Sequence, residues 1–218
     1  MVTPHAPSPP NGSSPRRDVA RKEAALTYAG YGWPVLPGSD WNGRTWQVAS
    51  PGGKRTDGAQ PILPRNVATV DPDTIAGWWH GRAGVGELSP TVLLRSGPFS
   101  FNVISVSTAV GERARQHQQF VAAPTPVAYR PDTEREYFLT KPIGEPSGRN
   151  IDPEVADMVT VMQTGSWILV PPATVSAGRE VEWRVDPATL DGGLADFITT
   201  AGSLLFAAYN LKNSQDQG

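Results

Sequence analysis

Twenty-two glycines and twenty-two prolines in 218 residues constrain this chain more than any other feature. Glycine loses the most backbone entropy inside an element, and proline removes a donor and fixes φ. Long uninterrupted helices and central strands are therefore disfavoured. The chain must be built from short elements joined by many turns. An apolar fraction of 39% still makes it a globular chain. Its length is enough for a real core in one large domain or two small ones.

Other composition features exclude whole classes of chemistry. There is no cysteine, so disulfides, thiolate catalysis and cysteine zinc sites are ruled out. Nineteen basic residues stand against 21 acidic ones, a net charge of −2. Non-specific nucleic-acid binders usually carry a basic excess, so only a local basic patch could serve that role. The opening Met-Val-Thr-Pro-His-Ala-Pro-Ser-Pro-Pro has no apolar signal region. No apolar run approaches the roughly 20 residues of a membrane span. The expectation is a cytoplasmic protein with no membrane partner.

Along the chain, residues 1–17 read as a disordered Pro/Ser-rich tail, 18–210 as one domain and 211–218 as a polar tail. Arg16, Arg17, Arg21 and Lys22 form a basic cluster, either a solvated helix start or a phosphate or partner contact. Asp18 is placed to cap a first helix that Gly30 and Gly32 stop. Trp33–Pro37 reads as an edge strand. Residues 38–68 are too long for a structureless loop, so they are either functional or contain short strands. Asp71-Pro72 opens a second helix with Ile75, Trp78 and Trp79 facing the core.

Strands are predicted near 84–88, 91–95 and Phe99–Ser107, then a helix from Ala109 to Phe120. Further strands fall at Val127–Arg130, Glu136–Thr140, Met158–Met162, Trp167–Val170 and Val181–Val185, with Trp167 read as core. Asp186-Pro187 marks another helix start, and an apolar helix runs from Leu194 to Asn210. This order is that of an α+β domain with a central, mostly antiparallel sheet flanked by helices.

Four stretches occur in a telling order: Ala24–Pro37 with its Gly-Trp-Pro-Val core, Pro51–Arg55 (Pro-Gly-Gly-Lys-Arg), Ala68–Trp79, and Pro171-Pro172 followed by Trp183. Together they resemble the N-terminal domain of bifunctional DNA primase/polymerases, in an actinobacterial-type variant related to archaeo-eukaryotic primases. The resemblance implies a primase–polymerase-like fold and nucleotidyl transfer with Mg or Mn ions. It implies an Asp-x-Asp strand, whose period of two puts both carboxylates on one face, and a third acid on a later strand. A His would contact the nucleotide phosphates.

On this chain the two acid positions fall on Ser105 and Ser107, the third acid near Thr160, and the His near Arg135. Hydroxyls are poor ligands for Mg²⁺, which prefers carboxylates. No Asp or Glu occurs between Leu88 and Gly111, under any local alignment. The catalytic site therefore reads as degenerate, with no metal site and no cofactor.

Lys54 and Arg55 follow a Gly-rich turn that could cradle phosphate, or is simply solvated. Arg135 could grip phosphate, or be an ordinary strand-edge arginine. His5, His80 and His117 lie too far apart in sequence to suggest a metal site. The expected function is a non-catalytic domain binding a nucleotide, single-stranded nucleic acid or a protein partner in DNA replication. Two alternatives remain: an active nucleotidyltransferase with unusual metal ligands, and a pure protein-interaction module with its cleft filled.

Overall fold

A computed structural model describes residues 15–48, 54–79, 90–143 and 151–215. Helix α1 (Pro15–Gly30) opens on proline, which the first turn tolerates. Asp18 consequently lies inside that turn and not at the cap, where its charge still complements the helix dipole. Arg21, Ala25, Tyr28 and Ala29 form the buried stripe of α1, at spacings of four, three and one.

Arg21 departs from the solvated-cluster reading. It is fully buried and pairs with Asp40 at 2.7 Å, and its Nε donates to the Pro172 carbonyl at 3.5 Å. Arg16 and Arg17, one turn earlier, are exposed.

Strand β1 (Val35–Gly38) follows. Among its described residues, the 38–68 segment holds a small antiparallel sheet of β2 (Asp40–Trp41), β3 (Trp46–Gln47) and β4 (Arg55–Thr56). Helix α2 (Pro72–Trp78) begins as the sequence predicts. The Asp71 carboxylate accepts from the Thr74 N–H at 2.8 Å. Hydrogen bonding to the Thr74 side chain first, and to that N–H second, holds its pKa below the ordinary aspartate value. Ile75 and Trp78 are buried, while Trp79 is half-buried and donates its indole N–H to the Pro90 carbonyl. The strand expected near 84–88 lies outside the described residues.

Among the described residues the main sheets are two, not one, and their strands pair antiparallel, with a parallel bridge from Thr140 to Ala195 beside them. In the first, β5 (Thr91–Arg95) lies between β1 and β10 (Trp167–Leu169). The second runs in the order β11 (Glu182–Val185), β7 (Val127–Arg130), β8 (Arg135–Thr140), β6 (Asn102–Ser107), β9 (Val159–Val161). One core lies between these sheets and is closed by α1 and α2. It contains Trp33, Phe101, Val103, Leu139 and Ile168.

A second core fills the opposite face of the five-stranded sheet, beneath α3 (Thr108–Arg115), α4 (Gln118–Ala122) and α5 (Phe197–Gln215). The helix expected over Ala109–Phe120 is therefore broken. His117 is extended, and the break turns Phe120 back against Phe138, with ring centroids 5.6 Å apart. The α+β class stands, with helices flanking antiparallel sheets.

Asp186-Pro187 opens only a short 3₁₀ turn, Pro187–Leu190, ended by Asp191 in the left-handed region at φ 49°. Helix α5 starts after Asp196, whose carboxylate accepts from the Thr199 N–H, and it continues to Gln215.

Gly111 sits inside α3, where alanine would normally gain about 1 kcal/mol of helix propensity. Here an added Cβ would overlap the buried Glu136 carboxylate, lying 2.6 Å from its Cδ. Gly111→Ala is therefore expected to destabilise the fold by about 1–3 kcal/mol, the range for overpacked cores. A thermal melt that rises would show that Glu136 moves aside freely.

Candidate functional site

The five-stranded sheet presents one face to α3 and α5 and the other to the core shared with the first sheet. Alternation along β6 assigns the side chains. Ile104 and Val106 pack under the helices, while Val103, Ser105 and Ser107 take the other face. Register then fixes their neighbours. Ser105 lies opposite Tyr137 on β8 and Thr160 on β9, and Ser107 lies opposite Arg135. Ser105, Ser107 and Thr160 are thus brought onto one face, as the period of two and the register require. Ser105 is buried, Ser107 half-buried and Thr160 exposed.

Arg135 closes over Ser105. Its Nε donates to Ser105 Oγ at 3.0 Å, its Nη2 to the Ser105 carbonyl at 2.9 Å and its Nη1 to the Asp157 carbonyl at 3.0 Å. Arg130 is the cross-strand partner of Arg135 across a hairpin turn. Burial opposes the charge on Arg130, but its two hydrogen bonds to Asp132, both 2.8 Å, outweigh that and raise its pKa. The turn is tied to the start of α3. Glu134 takes a left-handed conformation, φ 51°, and its carbonyl accepts from the Thr108 amide and hydroxyl at 3.1 and 2.9 Å.

Beside this cluster a cleft of about 440 Å³ opens where the two sheets diverge. Arg130, Tyr137, Met162 and the turn at residues 163–166 line one side. Trp167, Leu169, Ala59 and Arg65 line the other. Trp167 is thus only partly the core residue that its strand suggested. Its indole N–H donates to Ala59 at 3.1 Å, and the Arg65 guanidinium lies 4.1 Å from its ring centroid. Arg65, Arg130 and Trp167 were not identified from sequence as groove residues. A signal for Arg130 was present: the Pro131–Glu134 turn joins two predicted strands and must set residue 130 beside residue 135.

Lys54 and Arg55 are exposed on the small sheet and do not line this cleft. The glycines that precede them lie outside the described residues, as do His5 and His80. His117 packs against Phe206 on the far side of the five-stranded sheet.

The donor set at Ser105 does not fit a divalent metal ion. Ser105, Ser107 and Thr160 bring neutral hydroxyls, and a guanidinium already occupies Ser105 Oγ. Two unit charges 4 Å apart repel by ~4 kcal/mol at the effective dielectric of a protein, and a dication doubles that. Among the described residues no group of three or more His, Asp or Glu side chains is arranged to hold a metal.

The family model for the N-terminal domain of bifunctional DNA primase/polymerase matches residues 25–195. The chain belongs to this family. The match takes in both main sheets, the Ser105 strand and the cleft, so this is a primase/polymerase-like domain of the DNA-replication type. No curated protein and no solved structure matches it. Among the described residues of this primase/polymerase-like domain, no helix is long and apolar enough to cross a membrane.

Proposed function

We propose that this primase/polymerase-like domain is non-catalytic and that its groove serves to bind a nucleotide or a nucleic-acid strand in DNA replication. One observation carries the reading. Arg135 is hydrogen-bonded to Ser105 at the position where the family pattern calls for a metal-binding carboxylate. Metal-assisted nucleotidyl transfer needs anionic side chains to hold the metal ions that align the hydroxyl with the triphosphate and neutralise its charge. Serine, threonine and arginine are not anionic and supply no such ligand. The binding half of the reading is supported by the open cleft, which bulky side chains have not filled. That openness also disfavours a module whose old groove has closed into a packed surface.

The test has two parts. Primer extension and primer synthesis with labelled deoxynucleotides, in Mg²⁺ and in Mn²⁺, are expected to show no incorporation above background. Thermal unfolding against ATP, GTP and deoxynucleotides is expected to show stabilisation. A ligand at about 100 times its Kd adds roughly 2.7 kcal/mol. Incorporation, or stabilisation that requires metal, would restore the polymerase reading. No stabilisation by any nucleotide or oligonucleotide would move the function to a protein partner.

A further inference from the structure

We propose that the outer face of α5 docks an amphipathic helix of a protein partner, with an acidic side chain of that helix seated against Arg113. The face lies on the side of the five-stranded sheet away from the groove, so the proposal does not depend on what the groove binds. Phe197, Thr200, Ser203, Leu204, Ala207 and Ala208 form the buried stripe of α5. The opposite face of such a helix is ordinarily charged. Here no charged residue stands between Asp196 and Lys212. Ile198 is 49% exposed and Phe206 55%, with Gly202 exposed between them.

These three recur at a spacing of four, which places them on one ridge about 12 Å long. A helix that is apolar on both faces is one that is covered on both. Gly202 stands at the middle of the ridge, where it weakens the helix. The domain's own packing does not require it, because a Cβ there would meet nothing within 4 Å. A bare glycine on a helix surface does let a second backbone approach closely.

Two pockets of about 440 Å³ flank the ridge. One lies between α5 and β9 and is apolar, walled by Val159, Val161, Ala201 and Leu205. Asp152 stands in it, accepting from the Tyr209 hydroxyl at 2.8 Å. The other lies between α5 and the end of α3, where Arg113, Gln116, His117 and Asn210 surround Phe206. The Phe206 ring is held against His117, with centroids 5.2 Å apart. No carboxylate lines this second pocket, and Arg113 is exposed and makes no ion pair among the described residues.

Charge is therefore unequal across the ridge, with an acid on the β9 flank and a cation on the α3 flank. That asymmetry defines the partner. Its apolar residues, recurring every three or four positions, lie along the ridge and reach the apolar pocket. Its acid falls on the α3 side, where Arg113 attracts it, and away from Asp152, which repels it. Phe206 supplies the aromatic anchor that such contacts favour. A ridge with a groove on each side is the surface that a second helix packs into, and this face offers no open strand edge to an extended peptide.

The experiment is selection of a random 16-residue phage-displayed peptide library on the full chain. Selected peptides are then synthesised and titrated by fluorescence anisotropy. Titrations use the wild type and Phe206→Ala, Gly202→Leu and Arg113→Glu, each first checked for a cooperative melt, with the mass of the wild type read by light scattering. Selected peptides are expected to carry apolar residues at helical spacing together with Asp or Glu. Affinity is expected to fall roughly tenfold or more in Phe206→Ala and in Gly202→Leu. Gly202→Leu should melt no lower than the wild type, which separates blocked docking from a damaged fold. Arg113→Glu should weaken the acidic peptides, and the same peptides with Lys in place of the acid should recover binding to it.

Failure to select any peptide whose binding depends on Phe206 would overturn the docking face. Peptides that depend on Phe206 but ignore Arg113→Glu would overturn the acidic character of the partner. A dimeric wild type that Phe206→Ala or Gly202→Leu converts to a monomer would overturn the choice of partner and assign the face to a second copy of this chain.

Discussion

Arg21→Ala is expected to lower the melting temperature by roughly 10 °C. The arginine has no exposed side-chain surface, and its partner Asp40 retains only 14%. Removing one member of a buried pair leaves the other charge without compensation, at a cost of about 3–5 kcal/mol. In a domain of this size each kcal/mol moves the midpoint by about 2–4 °C. The pair also joins three distant parts of the chain: α1, the small sheet at Asp40, and the Pro171-Pro172 segment after β10. Tyr28 reinforces that joint, donating to the Pro171 carbonyl at 2.7 Å and accepting from the Trp183 indole at 2.9 Å. Burial raises the pKa of its phenol well above the usual value, so it stays a neutral donor. Differential scanning calorimetry reads the effect directly. A shift of only a degree or two would mean that Asp40 reaches water when Arg21 is gone.

Arg115→Ala is expected to be about as damaging near neutral pH, and its damage depends on pH. Glu136 points away from the groove, under α3, with no exposed side-chain surface, and it is ion-paired with Arg115. Burial raises its pKa, while Arg115, and more weakly Arg184, draw it back; Glu112 adds a small push upward. A carboxyl whose folded pKa is raised contributes stability that is complete below its unfolded value and is lost as pH rises through the folded value. Without Arg115 the folded pKa rises further, so the ionised state becomes more costly. The melting deficit of Arg115→Ala should therefore be largest at alkaline pH and should narrow as pH falls toward the ordinary glutamate range. In a Glu136→Gln background, removal of Arg115 should cost little. Melts of the single and double variants at several pH values check this. A deficit that ignores both pH and the Glu136→Gln change would assign Arg115 a packing role instead.

These two ion pairs differ in how far a reader of the sequence could have foreseen them. Glu136 falls in a predicted strand, next to Arg135. Alternation alone puts residues 135 and 136 on opposite faces. Arg21 looked like one of four basic residues on a solvated helix start, and nothing near it in sequence announces Asp40 or Pro172. The same contrast holds within the candidate site. That Ser105 and Ser107 share a face follows from a period of two. That Arg135 reaches back to cover Ser105 follows only from the β6–β8 register. Trp167 sits in a predicted strand, but its place on a cleft wall beneath Arg65 depends on where the 38–68 segment folds.

The sequence alone determined what adjacent residues can decide. The density of glycine and proline set short elements, and Asp71-Pro72 set a capped helix. Residue alternation located most of the strands, and four ordered stretches carried the family resemblance. It also settled that no acid stands between Leu88 and Gly111, whatever the local alignment. The tertiary structure decided what long-range packing controls: two sheets instead of one, a helix broken at His117, a buried Arg21, and a groove that Arg130 and Arg65 line. The physical reason is range. Caps, turns and strand periodicity act over a few residues, whereas the Arg21–Pro172 contact spans 151 positions. Such contacts depend on how whole layers come together.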